Sequence, residues 1–274
     1  MSTVIESAPE VSDQSAPPGS RWRPTAETIR VWALRIVIVV GLLALWQYFG
    51  GRSTHNQFFY SKPSLIWDAL TNMLSSGGFY VNLRYTMEET VLGFVIGAAL
   101  GIACGFGLAF SRTTYRAIEP IMNALNALPR IALSSLFILW FGLGIESKVV
   151  LAVTLVFFPL FLNSYQGATT IDPDYVLLMR TLHAKRRAFV TKVMIPSTMP
   201  WIITGAKLGV AQALGGAVVG EIIAAQFGLG AALNQDAQSF ATGDEFAILL
   251  VLIAIAMALN GIFALLERRT SSWR

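Results

Sequence analysis

Four ionisable residues stand inside or at the edges of long apolar runs: Glu89, Arg130, Lys207 and Glu221. Charges at membrane depth are costly, so such residues face a bundle interior or an aqueous path. They can hold a solute of opposite charge, relay a proton, or tie helices together. Arg130 follows the helix-breaking Pro129, and with Lys207 it is the best candidate for a positive patch in a pathway. Lys207 fits equally well as a side chain snorkelling to an interface. Glu89 reads as an interfacial or helix-start residue at the outer end of its span. Glu221 reads as a structural partner near an outer gate. Lys207 and Glu221 are fourteen residues apart, about 21 Å along one helix, too far to pair. Asn123, Asn126 and Gln212 offer neutral hydrogen bonds, either to a solute or between helices.

Hydrolytic chemistry has no visible apparatus. The fragment "TGAKLG" lacks the spacing of a GxxxxGK[ST] phosphate loop, so this chain cannot hydrolyse ATP alone. Neither HExxH nor GxSxG occurs. His55 and His183 are too few and too far apart for a histidine metal site. The single cysteine, Cys104, excludes a disulfide framework within the chain and reads as a small buried hydrophobe.

The elements that must position these residues are apolar helices. Of 274 residues, 54% are hydrophobic and 13% charged, with a mean hydropathy of +0.59. Soluble domains carry about 25% charged residues, so the deficit indicates an integral membrane protein. The net charge of +4 is accordingly read by its placement rather than as a nucleic-acid footprint, and no nucleic-acid partner is expected. Six segments approach the roughly 20 residues that span a bilayer. They are Val31–Phe49, Thr90–Phe110, Ile121–Phe141 (interrupted at Pro129 and Arg130), Val149–Tyr165 (containing Pro159), Trp201–Ile223 and Phe246–Leu266. Residues 1–30, polar and rich in Pro and Ser, read as a disordered tail, and 31–274 as the transmembrane domain. The second span places Gly93, Gly97, Gly101 and Gly105 on one face, and the fifth has Gly205/Gly209 and Gly216/Gly220, which predicts close helix packing.

Lys and Arg set the orientation. They gather in the N-terminal flank (Arg21, Arg23, Arg30), after the second span (Arg112, Arg116), after the fourth (Arg180, Lys185, Arg186, Arg187, Lys192) and at the C-terminus (Arg268, Arg269, Arg274). The opposite loops are leaner, with Arg52, Lys62 and Arg84 in one and Lys148 in another. Both termini are therefore expected in the cytoplasm.

One cytoplasmic segment is unlike the rest: "DPDYVLLMRTLHAKRRAF", residues 172–189. Asp172 is a good N-cap, Pro173 a good first helical residue, and Asp174 complements the helix dipole. Tyr175, Leu178, Met179 and Leu182 form an apolar stripe. Lys185, Arg186 and Arg187 load the far end. The pattern predicts one amphipathic helix of about 15 residues, ended before Pro196 and Pro200. It could lie on the membrane surface, cover the end of the bundle, or dock into a partner's groove.

"RTLHAKRRAFVTKVMIPSTMPWIITGAKLG" resembles the cytoplasmic loop of permease subunits of ABC importers, and "TMEETVLGFVIGAALGI", "LPRIALSSLFILWFGLGIESK" and "VVGEIIAAQFGLG" extend the likeness over about Thr86–Trp273. The branch resembled serves nitrate, sulfonates, taurine, aromatic carboxylates, thiamine pyrimidines and riboflavin. The resemblance implies an all-α membrane protein of the type I importer class: six transmembrane helices, cytoplasmic termini and a cytoplasmic coupling helix at about 173–187. It further implies a multi-pass protein of the bacterial plasma membrane, working as a homodimer among membrane lipid. Two ATP-binding cassette subunits inside and an extracytoplasmic substrate-binding protein would complete it. ATP and magnesium would sit on the ATPase, with no cofactor in this chain. Asp174, Leu178, Met179, Leu182, His183, Lys185 and Arg186 would couple to the ATPase, and Asn126, Arg130, Lys207, Gln212 and Glu221 would line or gate the pathway. The sequence departs from the family in having Leu177, Leu178 and Met179 in place of Glu-Ala-Ala, and His183 in place of Gly. Ser135 stands where many relatives have Pro, which predicts a less broken third helix. The two-positive pathway leans toward a small organic anion; a pyrimidine or flavin nutrient is the alternative. An ATP-independent carrier with Glu89 and Glu221 as proton sites is a further reading, and a membrane anchor recruiting a cytosolic partner another.

Overall fold

The computed structural model describes residues 26–271, with side chains over 30–267. The expected disordered tail lies outside the described residues, apart from the helical start at residue 26, as do the side chains of Arg268, Arg269 and Arg274. Among the described residues every regular element is helical.

The described residues fall into two compact units, divided between Tyr48 and Phe49. The first contains most of α1 (Ala26–Gly51), whose span from Arg30 to Gly51 has a mean hydropathy of 1.8. A helix apolar all round suits a lipid surrounding. Its Arg35 guanidinium lies 5.1 Å from the centre of the Trp32 ring.

The second unit begins with two short helices, α2 (Thr54–Tyr60) and α3 (Pro63–Ser75), before the long α4 (Gly77–Ala109). The pair α5 (Arg112–Ala127) and α6 (Arg130–Phe141) follows, then α7 (Ile145–Thr169). Next come α8 (Pro173–Thr181), the one-turn α9 (Arg186–Phe189) and α10 (Ile195–Ala224). Then α11 (Leu229–Gln238) and α12 (Thr242–Ser271) complete the chain. Among the described residues five helices are long and apolar enough to cross a membrane, or six with α5–α6 taken as one broken span.

The core is α7 held between α4 and α10. Its Leu151, Ala152, Val156, Leu160 and Phe161 are buried to 1% exposure or less. Close approach is what the glycine face of α4 provides. A Cβ on Gly97 would lie 2.8 Å from Val156 Cβ, and one on Gly101 would lie 2.6 Å from the backbone oxygen of Phe157. On α10, Gly216 and Gly220 press against Ala152 and Lys148 in the same way. Cys104, expected to be buried, is exposed: the packed face runs through Gly101 and Gly105, and Cys104 is turned off it.

The third span breaks where proline dictates. Leu128 takes an extended conformation ahead of Pro129, and α5 and α6 meet at 88°. Past that break, α6 runs uninterrupted through Ser135 to Phe141.

Two proline expectations are corrected. Pro196 and Pro200 do not end a helix, because α9, a π-helical turn at Val190–Met194 and α10 form one helix from Arg186 to Ala224. The wide turn precedes Pro196, where a regular hydrogen bond would be lost. Thr198 donates to the Met194 carbonyl at 2.7 Å and Thr204 to that of Pro200 at 3.0 Å, each a side-chain bond one turn back along the same helix.

Candidate functional site

The basic end of the molecule is built from three turns. Tyr115 of α5 stacks on Tyr165 of α7 with centroids 3.6 Å apart, and the Arg186 guanidinium lies 4.7 Å from the centre of the Phe110 ring. These contacts bring the start of α5, the end of α7 and the start of α9 together.

At that end α8 stands clear. Asp172 caps it as expected, its side chain accepting from the Asp174 N–H at 2.9 Å. The helix is shorter than the predicted 173–187. It stops at Thr181, and His183 turns left-handed at φ 49°. Ala184 N–H then bonds the Met179 carbonyl and His183 N–H that of Arg180, both at 2.9 Å, closing the helix as a Schellman turn. Lys185 and Arg186 therefore belong to the next element, redirected from the α8 axis. Asp174, Leu178, Leu182, His183, Lys185 and Arg186 are exposed and Met179 is half-buried. Tyr175, Leu178 and Leu182 are each more than half exposed, so the apolar stripe is uncovered.

The pathway candidates are dispersed. Arg130, at the break between α5 and α6, donates to the Asn126 backbone oxygen at 3.0 Å and to the Asn126 side chain. Its guanidinium lies 4.6 Å from the centre of the Phe158 ring, and its Nε is buried without a partner. Asn126 and Gln212 are exposed on the single chain, as is Asn123. Lys207 is tied to α12 by an ion pair with Glu267, so its charge is already compensated. The two positive residues are thus not equivalent: Lys207 has a carboxylate partner, whereas Arg130 has none and keeps a buried donor without a partner.

Glu221 is fully buried. Its Oε1 accepts from the Thr86 hydroxyl and its Oε2 from the Gly230 N–H, both at 2.7 Å. Thr86 in turn accepts from Leu229 N–H at 2.8 Å, and Asn82 from Gly228 N–H at 3.0 Å. Glu221 therefore pins the α10–α11 turn to α4. Gly228, at φ +119° and against the Glu221 carboxylate, has no room for a side chain.

Two residues read as peripheral are not. Glu89 is 3% exposed, because α4 begins at Gly77, about three turns before it. Lys148, assigned to a loop, is 2% exposed in the first turn of α7 and donates to the Leu143 and Gly144 carbonyls at 2.5 and 3.0 Å. Thr86 and Asn82 were missed altogether. Their only signal in the sequence is polar residues at helical spacing before the glycine face.

Five or six membrane-length spans among the described residues, one of them broken, with an uncovered amphipathic helix at the basic end, are the features of a transport channel subunit. Residues 93–272 match the family described as the binding-protein-dependent transport system inner membrane component, and the chain belongs to that family. It is the permease subunit of an ABC importer of the inner membrane. It is 28% identical to the putative aliphatic sulfonates transport permease of Bacillus subtilis, over 93% of this chain and 96% of that protein. It is 32% identical to the formylaminopyrimidine transport permease of Halalkalibacterium halodurans, over 78% and 86% respectively. Among solved structures, an inward-facing MetNI methionine ABC transporter chain aligns with a TM-score of 0.58 at 18% identity, covering 76% of this chain and 99% of that one.

Proposed function

We propose that two copies of this chain form the channel of an importer for a small organic anion such as a sulfonate or aromatic carboxylate. A cytoplasmic ATPase pair would seat on α8, and an external binding protein would deliver the solute. This chain contributes no catalytic group; ATP and magnesium belong to the ATPase. The supporting observation for coupling is the uncovered stripe of Tyr175, Leu178 and Leu182, since an apolar helix face in that position is a docking element. Asp174, Met179 and His183 shape the ends of that face, and Lys185 and Arg186 flank it.

Arg130 carries the anion reading. Its buried Nε–H has no partner, and a buried donor left unpaired costs roughly 1–3 kcal/mol unless a ligand fills it. Asn126 orients the guanidinium, and Gln212 supplies a neutral donor on an open face. Glu221 acts on the pathway only by fixing the outer turn, and Lys207 by tying α10 to α12.

The test is uptake by the assembled transporter. Arg130→Gln should lower uptake efficiency about tenfold or more, the worth of one charge-assisted contact, while leaving assembly with the ATPase intact. Screening the companion binding protein should return anions. A neutral pyrimidine or flavin as its ligand, with normal uptake by the Gln variant, would overturn the anion reading while leaving the importer intact.

A further inference from the structure

At the end opposite α8 the interior holds Glu89 of α4, Lys148 of α7 and Glu221 of α10, each 3% exposed or less. Charges so buried are costly unless they are paired and hydrogen-bonded. The partners of each side chain therefore reveal its state.

Glu221 is served as an ion. Its two oxygens accept from the Thr86 hydroxyl and the Gly230 N–H. Lys148 gives two of its donors to the Leu143 and Gly144 carbonyls, and among the described residues no ion pair joins it to either carboxyl group. Glu89 is placed differently. It shares a side-chain hydrogen bond with Glu221, yet its Oε2 is sealed from water and no N–H or hydroxyl donates to it. Two ionised carboxylates have no donor between them, so a hydrogen bond joining them requires a proton on one.

The balance of charge agrees. The other acids near this cluster are accounted for outside it: Glu88 is engaged by Arg84 at 2.6 Å, and Glu146 is exposed. Inside, two carboxylates against the Lys148 ammonium would leave one negative charge uncompensated. A single proton makes the cluster neutral, as acid, carboxylate and ammonium. Carboxyl groups that share a site hold a proton for this reason. The donors decide which group carries it. Glu221 already receives two, and Glu89 Oε2 receives none, so the proton belongs to Glu89.

We propose that Glu89 is a positioning residue for the outer end of the channel: as a neutral acid it donates its O–H to the Glu221 carboxylate and so holds the α10–α11 turn against α4. Glu221, fixed in this way, orients Thr86 and the Gly230 N–H, and Thr86 receives the Leu229 N–H. The proton is a resident part of the bundle, placed where α4 and α10 meet. The inference rests on the chain being a permease and not on the anion reading of Arg130.

The test uses the full chain, with its ATPase partner, in lipid nanodiscs at pH 7. Infrared spectra with carbon-13-labelled glutamate read the carboxylic-acid C=O stretch, and hydrogen exchange reads the Gly228, Leu229 and Gly230 amides. The wild type should show an acid band that shifts on labelling and disappears in Glu89→Gln. The glutamine keeps a neutral donor toward Glu221, so its amides should exchange at near wild-type rates and uptake should persist. Glu89→Leu keeps the bulk and removes the donor. Its amides should exchange about tenfold faster or more, the worth of one charge-assisted hydrogen bond, and uptake should fall with them. A wild type without the band, or a band that persists in Glu89→Gln, would overturn the assignment of the proton. Equal loss of protection in the Gln and Leu variants would mean that Glu89 acts as a charge, and unchanged protection in both would deny it any positioning role. Should Glu89→Leu fail to fold, the band and the protection of Glu89→Gln decide. Arg130→Gln should leave the band in place, so the two readings fail separately.

Discussion

α7 and α8 are neighbours in the chain and both present apolar faces, yet they are finished in opposite ways. α7 buries Leu151, Val156, Leu160 and Phe161 between glycine-faced helices of the same chain. α8 leaves Tyr175, Leu178 and Leu182 open. The difference lies in what faces each helix. Glycine ladders on α4 and α10 let two backbones close on α7, whereas the His183 turn swings the following helix away from the α8 stripe. One apolar face specifies the fold; the other is left open on this chain.

The comparison breaks most completely at the glycines. Gly101→Leu would drive a side chain into the Phe157 backbone, which has no flexible end to yield. Overpacking typically costs 1–3 kcal/mol and more against backbone. The variant should therefore give little monodisperse protein by size-exclusion chromatography after extraction, with ATPase association lost together with the fold. Leu178→Asp, by contrast, should leave the folded permease intact. It should abolish copurification with the ATPase, because a charge buried unpaired in an interface costs several kcal/mol. Normal copurification would mean that the open stripe faces something else.

The weaker effects sharpen the contrast between paired and open groups. Lys207→Gln breaks the ion pair with Glu267, whose partners are 29% and 44% exposed. Pairs so solvated are worth about 1 kcal/mol or less, so the variant should show a small drop in unfolding temperature and near-normal uptake. A tenfold loss of uptake would return Lys207 to the pathway. The smallest effect is expected at Asp236 on α11. Burial, then the nearby Asp244 and Glu245, pushes its carboxyl above the ordinary range. The folded state therefore holds this proton to higher pH than the unfolded chain does, and stability falls as pH rises through that interval. Asp236→Asn should raise the unfolding temperature slightly at pH 7 and not at pH values below the carboxylate range.

Most of the bundle was legible because it rests on patterns a single chain displays: apolar length, glycine every fourth residue, and Pro129 at a break. The short helices α2, α3 and α11 went unseen, since none is long or apolar enough to announce itself. The amphipathic segment at 172–189 was misjudged in length. Its stripe and charges continue past Leu182, but the backbone reverses at His183, which stands where the resembled family has Gly. Gly there signals a left-handed turn, whereas His conceals one. The inward-facing charges were legible as costly but not as partnered. Glu267 lies 60 residues from Lys207, and Thr86 lies 135 from Glu221. Such pairings are created by the packing of distant helices, and no local spacing encodes them.

The helix from Arg186 to Ala224 counts 39 residues, about 58 Å at helical rise, against a hydrocarbon layer of about 30 Å. Roughly half its length thus lies beyond the apolar slab, with α8 joined to its basic end through the His183 turn. It has the proportions of an oar through a rowlock. A swing of about 5° about the bilayer midplane displaces an end about 29 Å away by roughly 2.5 Å. The π-helical turn at Val190–Met194 sits on the inboard portion, near the handle. A small push on α8 would then be delivered along one continuous rod to the turn that Glu221 clasps at its opposite tip.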